Sequence, residues 1–498
     1  MERSAGIILH PSSLPNNYGI GSFGKSAYLF VDTLKECGFK LWQVCPLGPT
    51  GYGDSPYQCL SAFAGNPYFI DWDTLLEERL VEKGDLKCLF NLSHSHVEYA
   101  SLYKLFWPLI KKAFTCFKLR GSKSSALPIE LEKFYNSAEG WLYDYCNFRS
   151  LKDRFNQTSR CEWPENFRIK SKIPNLVNDG FISEDAEMHG FTQYLFFNQF
   201  HKLKKYANKN GIQLIGDIPI FVALDSSDVW ANPDLFKINR SGFADKVAGV
   251  PPDYFSKKGQ LWGNPLFDWK FHEKENFHWW INRIKHNLEL YDCSRIDHFR
   301  GFESFWAIDA QSETAINGVW ESAPGSRFFN LLSKQCPNLP IIAEDLGVIT
   351  PEVKALLSET KFPGMAVLQF AFGGSNSNPY LPHNLKTNQV VYSGTHDNDT
   401  SLGWFHSLDN KTKTHVQEYL GISGENIGWD LFRCAIASVS NYAIVPLQDL
   451  MSLGKDARFN NPGTVKGNWS WRFRKEDINE LKLNSAKYIK RELELYGR

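Results

Sequence analysis

Residues 293–301 read C-S-R-I-D-H-F-R-G, an apolar run that turns polar at its C-terminal end. Two more stretches have that shape: P-I-I-A-E-D-L-G at 340–347 and V-V-Y-S-G-T-H-D-N-D at 390–399. Each sets one carboxylate, Asp297, Glu344 or Asp397, at the end of a strand-like run. A (β/α) barrel keeps its working groups at the C-terminal ends of its strands, so the three stretches point to that fold. Working outward, similar runs lie at 6–10, 39–45, 213–220, 293–299, 340–346, 365–370, 390–395 and 442–448. Helical periodicity fills several gaps between them, at 25–37, 183–208, 276–291 and 351–358, with Gly38 placed to end the first helix. Eight strands in alternation with helices favour a (β/α)8 TIM barrel over an open sheet. No G-x-G-x-x-G follows a strand, which speaks against a dinucleotide site.

The alternation stops between about residues 72 and 182. Charged helical patterns run there, such as 101–119, bent by Pro108, and 129–155. The expected organisation is therefore the first two strands and a site loop in 1–71, a helical insertion in 72–182, and the rest of the barrel in 183–498. A loop insertion at 249–265 is expected over the cleft. Little chain follows the eighth strand.

Composition narrows the class. Basic and acidic residues number 55 each, without the basic excess that a nucleic-acid partner draws. The ten cysteines form no C-x-x-C pair and read as free thiols of a reducing compartment. No run approaches a membrane span, and the first apolar run is too short for a signal peptide. A cytoplasmic protein with no membrane partner is expected. Aromatics make up 15 % of the chain, which suits a core and also suits stacking on sugar rings.

One acid at a strand end is most often a cap or a surface charge. Three at equivalent ends suit a glycosidic bond, which needs a nucleophile or base facing an acid. Arg295 stands two residues before Asp297, on the same strand face, and should favour its ionised, nucleophilic form. Glu344 ends an apolar run, where desolvation should keep it protonated as a general acid. Its neighbour Asp345 should point elsewhere, in a structural role. In T-H-D-N-D, His396 and Asn398 flank Asp397 with donors for substrate hydroxyls. No second His–carboxylate cluster at useful spacing accompanies them, so no metal is expected. Asp217, in G-D-I-P-I-F-V at 216–222, either binds substrate or orients Arg295. Two Gly- and Pro-rich loops offer rings and amides for a saccharide. P-T-G-Y-G-D-S-P-Y at 49–57 carries Ser55 and Tyr57, and 249–265 carries Tyr254, Phe255, Gln260 and Trp262.

Taken together with H-P-S-S-L-P at 10–15 and R-F-N-N-P-G-T-V-K-G-N-W-S-W-R at 458–472, these strings run nearly end to end. The chain resembles the 4-α-glucanotransferases of the amylomaltase (disproportionating enzyme) family, relatives of the α-amylases. The resemblance implies Asp297 as nucleophile, Glu344 as acid/base and Asp397 as the carboxylate that steadies the transition state. It implies that Arg295 and His396 contact the glycosyl group, and that Tyr57, Phe255, Trp262 and Phe370 are sugar-contacting rings. The loop around 458–472, near Asn460 and Asn461, would cover the cleft, and the implied fold lacks a C-terminal β-domain, consistent with the little chain after the eighth strand. Relatives often carry an acid after the F-A-F string; this chain has Gly373 there. The implied partners are α-1,4-glucans, with no cofactor, and the implied reaction is transfer by a retaining double displacement. On the residues alone, hydrolysis of the α-amylase type and a catalytically silent glucan-binding barrel stay open.

Overall fold

A computed structural model describes the whole chain except residues 1, 52, 122–125, 174–179, 253–255 and 465. Among the described residues twelve strands form two sheets. In chain order they are β1 (Ser4–Ile8), β2 (Leu41–Gln43), β3 (Gln213–Pro219), β4 (Lys246–Val250), β5 (Gln260–Pro265) and β6 (Cys293–Asp297). The rest are β7 (Ser304–Asp309), β8 (Gly318–Ser322), β9 (Ile341–Ala343), β10 (Gly364–Val367), β11 (Gln389–Tyr392) and β12 (Tyr442–Pro446).

Eight of these build one parallel sheet in the order β10-β11-β12-β1-β2-β3-β6-β9. The Ala343 N–H donates to the Pro363 carbonyl at 2.9 Å and brings β9 against the entry to β10. The sheet thus curls into a nearly closed barrel, and each expected strand-like run contributes one of its strands. Side-chain parity divides the core. Ile8, Ile215, Ile342, Val390, Tyr392 and Ile444 point into the barrel. Ile7, Leu214, Val391 and Val445, one residue out of phase, pack outward under the helices. Burial on both faces is why these strands read as continuous apolar runs. Close packing shows at Gly216, where a Cβ would come within 2.1 Å of the Tyr291 ring.

The first helix, Lys25–Cys37, ends at Gly38 in a left-handed conformation, φ 83°, with its N–H on the Leu34 and Lys35 carbonyls. Between residues 72 and 182 the described chain is helices and turns. Tyr99–Gly121 carries Pro108 inside it. The helix expected over 129–155 is two helices, Ala126–Ser137 and Glu139–Arg154. Ala138 leaves helical geometry at φ −107°, ψ 8°, and separates the two.

The stretch at 249–265, expected as a loop, corrects to a hairpin. Gly249 pairs Leu261 and Val250 pairs Gln260 in an antiparallel ladder. It is half of a second sheet, β5-β4-β7-β8, that stands beside the barrel. Gly and Pro dominate its composition and hid the period-two exposure of Gln260–Pro265.

Candidate active site

The β3–β6 ladder sets the floor of the site. In its register Asp217 lies opposite Arg295, and Pro219 lies opposite Asp297. Cross-strand neighbours meet on one face. Arg295 donates to Asp217 Oδ2 through Nη2 at 2.6 Å and through Nε at 3.0 Å. The same Nη2 reaches Asp297 Oδ1 at 2.8 Å and the Tyr57 hydroxyl at 3.2 Å. Tyr57 in turn donates to Asp217 Oδ2 at 2.6 Å. The side chains of Arg295 and Asp217 are 3 % and 1 % exposed, whereas Asp297 is 30 % exposed and so faces the cleft.

Glu344 follows β9 and is held by backbone. The His298 N–H donates to Oε2 and the Leu346 N–H to Oε1, both at 2.7 Å. His298 adopts φ 53°, ψ 49°, a left-handed turn directly after Asp297, and its N–H ties the two carboxylates' strands together. Burial raises the Glu344 carboxyl to about 8, and the charge of Asp297 adds to the rise against Arg295 and the two N–H donors. Burial also lifts Asp297, to about 6; Arg295 opposes this and Asp217 reinforces it. Arg295 therefore favours the ionised form of Asp297, as its spacing suggested, but desolvation outweighs it. The ordering still leaves Asp297 ionised and Glu344 protonated near neutrality.

Asp397 is placed by loops. Asn460 Nδ2 donates to its Oδ1 at 2.6 Å, and His396 Nε2 lies 3.4 Å from its Oδ2. Arg458 donates to the Asp397 carbonyl at 2.6 Å and to the Asn460 carbonyl at 2.5 Å. Partial desolvation in the cleft works against its charge, but the charge and hydrogen bond of His396, the Asn460 amide and Arg295 hold the carboxyl below its ordinary range. His396 stacks on Tyr57, ring centroids 4.9 Å apart at 17°.

Tyr57, Asp217, Arg295, Asp297, Glu344, His396, Asp397 and Asn460 thus come together. The other candidates stand further from the acids in role. Ser55 accepts from the Tyr57 N–H and shapes the loop. Asn398 accepts from the Thr395 N–H and hydroxyl, which fixes the turn before Asp397. Gln260 accepts from Trp262 Nε1, and Trp262 meets His298 edge-on at 4.9 Å. Phe370 lies against Tyr380. Asn461 anchors a small loop through its N–H to Asn468. Tyr254 and Phe255 lie outside the described residues. Asp345 turns away and accepts from the Met365 N–H, in the structural role read from its position. The sequence reading missed Arg458 and the turn at His298. His298 in R-I-D-H-F-R-G was in view, but a backbone N–H leaves no residue-type signal.

Against known proteins, a family model described as 4-alpha-glucanotransferase matches residues 9–478. The chain belongs to the 4-alpha-glucanotransferase family. The Clostridium butyricum 4-alpha-glucanotransferase is 46 % identical over 496 residues, 98 % of this chain and 100 % of that protein. The Thermus thermophilus enzyme of the same name is also 46 % identical, over 95 % of each chain. Among solved structures, the amylomaltase from Streptococcus agalactiae in complex with acarbose superposes with a TM-score of 0.94. It is 40 % identical, and the match covers 100 % of both chains. An amylomaltase from Corynebacterium glutamicum, 17 % identical, shares the fold at a TM-score of 0.79, over 100 % of this chain and 75 % of that one. Among the described residues no helix is long and apolar enough to cross a membrane.

Proposed function

We propose that this 4-alpha-glucanotransferase moves α-1,4-glucan segments from a donor chain to the 4-hydroxyl of an acceptor glucan by retaining double displacement. Asp297 attacks the anomeric carbon while Glu344 gives its proton to the departing glycosidic oxygen. The glucan is then esterified to Asp297. Glu344, now a carboxylate, takes the proton from the acceptor hydroxyl as that oxygen displaces Asp297. Asp397 stays ionised and stabilises the positive charge that develops on the sugar. Arg295 and Asp217 orient Asp297, His396 and Tyr57 hold the glycosyl group, and Trp262 offers a ring on the Glu344 side. Asn398, Ser55, Gln260, Phe370 and Asn461 support this surface, and Tyr254 and Phe255 are assigned to substrate binding on sequence alone.

The observation that carries the reading is the unequal pair: Asp297 touching Arg295, and Glu344 buried on two backbone N–H groups beside it. The likeness to an amylomaltase that binds acarbose supports a glucan in this cleft. Ten free thiols suit a cytoplasmic setting. Incubation with maltotriose and chromatography of the products tests the reading. Transfer yields glucose together with longer oligomers at a constant number of glycosidic bonds. A net loss of those bonds indicates hydrolysis, and binding without turnover indicates a silent barrel.

A further inference from the structure

Trp469, in the N-W-S-W-R stretch, carries none of the roles assigned above. Its backbone lies at φ 59°, a left-handed conformation that bulky L-residues avoid. Strain of this kind persists only where surrounding contacts over-determine it. Here they do. The Trp469 N–H donates to the Phe459 carbonyl at 2.6 Å, and its carbonyl accepts from the Tyr99 hydroxyl at 2.8 Å. Just after it the Val97 N–H donates to the Ser470 carbonyl at 2.7 Å and the Arg472 N–H to the Ser95 carbonyl at 3.0 Å. Arg472, 2 % exposed, adds its guanidinium to the carbonyls of Ser93 and Leu14. Residues 93–99 lead into the Tyr99–Gly121 helix, so the helical region grips the late loop at its C-terminal end.

The ring held this way is 3 % exposed. Its centroid lies 5.7 Å from that of Tyr57 and 5.8 Å from that of His396. Those two side chains come from loops after β2 and β11. The Tyr57 hydroxyl is tied to Asp217 and Arg295, and a third ring, clamped from outside, backs the rings of both Tyr57 and His396.

We propose that Trp469 is a positioning residue for the Tyr57–His396 pair, and that the helical region takes part in the reaction through the Tyr99–Trp469 hydrogen bond. The proposal rests on the transfer reading above. A loosened pair would misplace His396 beside Asp397 and weaken the hold on the glycosyl group, so water would meet the intermediate more often.

The test compares wild type with Trp469→Gly, Trp469→Phe and Tyr99→Phe on maltotriose, well below each protein's Tm, reading kcat, KM and the hydrolysed share. Glycine adopts a left-handed backbone freely, so Trp469→Gly removes the ring without adding strain. Expected are falls in kcat of roughly 30-fold for Trp469→Gly and about threefold for each of the other two, with KM changing less. The hydrolysed share rises in the same order. The proposal is overturned if Trp469→Gly keeps kcat and hydrolysed share within about twofold of wild type. It is also overturned if all three lose activity only in proportion to folded protein by circular dichroism. A wild type that does not transfer at all would instead overturn the reading of function.

Discussion

The two sides of the cleft are built differently. Asp297 and Glu344 stand on strand ends, and their partners are a cross-strand arginine and backbone N–H groups. Asp397 stands on a loop, and its partners are side chains of other loops, His396 and Asn460, with Arg458 bracing the backbone. The first side gets its geometry from the hydrogen-bonded ladder that also closes the barrel. The second gets it from tethers that can be cut singly without touching the sheet. Chemistry should therefore fail abruptly on the strand side and by degrees on the loop side.

The largest effect is expected at Asp297. Asp297→Asn keeps the volume and removes the proposed nucleophile, so transfer from maltotriose should fall by about 10⁴-fold or more. A variant within tenfold of wild type would remove Asp297 from the role given to it. Next comes Asp217→Asn, which halves the charge that holds buried Arg295. Breaking a buried pair at one partner costs about 3–5 kcal/mol, so Tm should drop along with a fall in kcat of roughly 100-fold. A Tm equal to wild type would show that the ladder holds Arg295 without this pair.

The pH dependence sharpens the contrast. With Asp297 raised to about 6 and Glu344 to about 8, kcat/KM should form a bell, falling below the first value and above the second. Glu344→Gln should abolish the alkaline limb along with most of the activity. Stability moves as well. A carboxyl whose folded pKa is raised keeps its proton in the native state after the unfolded chain has lost it. That contribution is complete below the unfolded value and is lost as pH rises through the folded one. Wild type should therefore lose Tm relative to Glu344→Gln as pH climbs from about 4.5 to about 8. A constant difference across that window would mean that Glu344 is not desolvated.

The same contrast explains what could be read from the chain. The barrel strands were legible because burial on both faces leaves uninterrupted apolar runs, and the three acids because each run ends on one. Arg295 beside Asp297 followed from strand parity, whereas the choice between the two roles open to Asp217 needed the register of β3 on β6. The second sheet was not legible: Gly249, Gly259 and Gly263 serve the bulge and turn of the β4–β5 hairpin and look like loop composition. Nor were the contacts of Arg458, Tyr99 and Trp469, which join residues 61 and 370 positions apart in sequence. Nothing in local periodicity encodes such a meeting; only the closed barrel brings the late loop back over the turn after β11.

A smaller effect than any on the strand side should come from one tether on the loop side. Asn460→Ala removes the donor 2.6 Å from Asp397 Oδ1 but leaves His396 and Arg458 in place. Asp397 is 49 % exposed, so water can replace part of the lost hydrogen bond, though without its fixed direction. The carboxyl should move back toward its ordinary range and stay ionised at neutral pH, because His396 still faces it. Its charge therefore survives while its aim does not. Such a loss falls on the transition state, where charge on the sugar is largest, so kcat should drop by roughly tenfold with little change in Tm. Asn460→Asp separates charge from aim. It preserves the size of the side chain but sets a second carboxylate against the first, and should be worse than alanine. If alanine and aspartate variants were equally active, Asn460 would be a wall of the cleft rather than the hand that points Asp397.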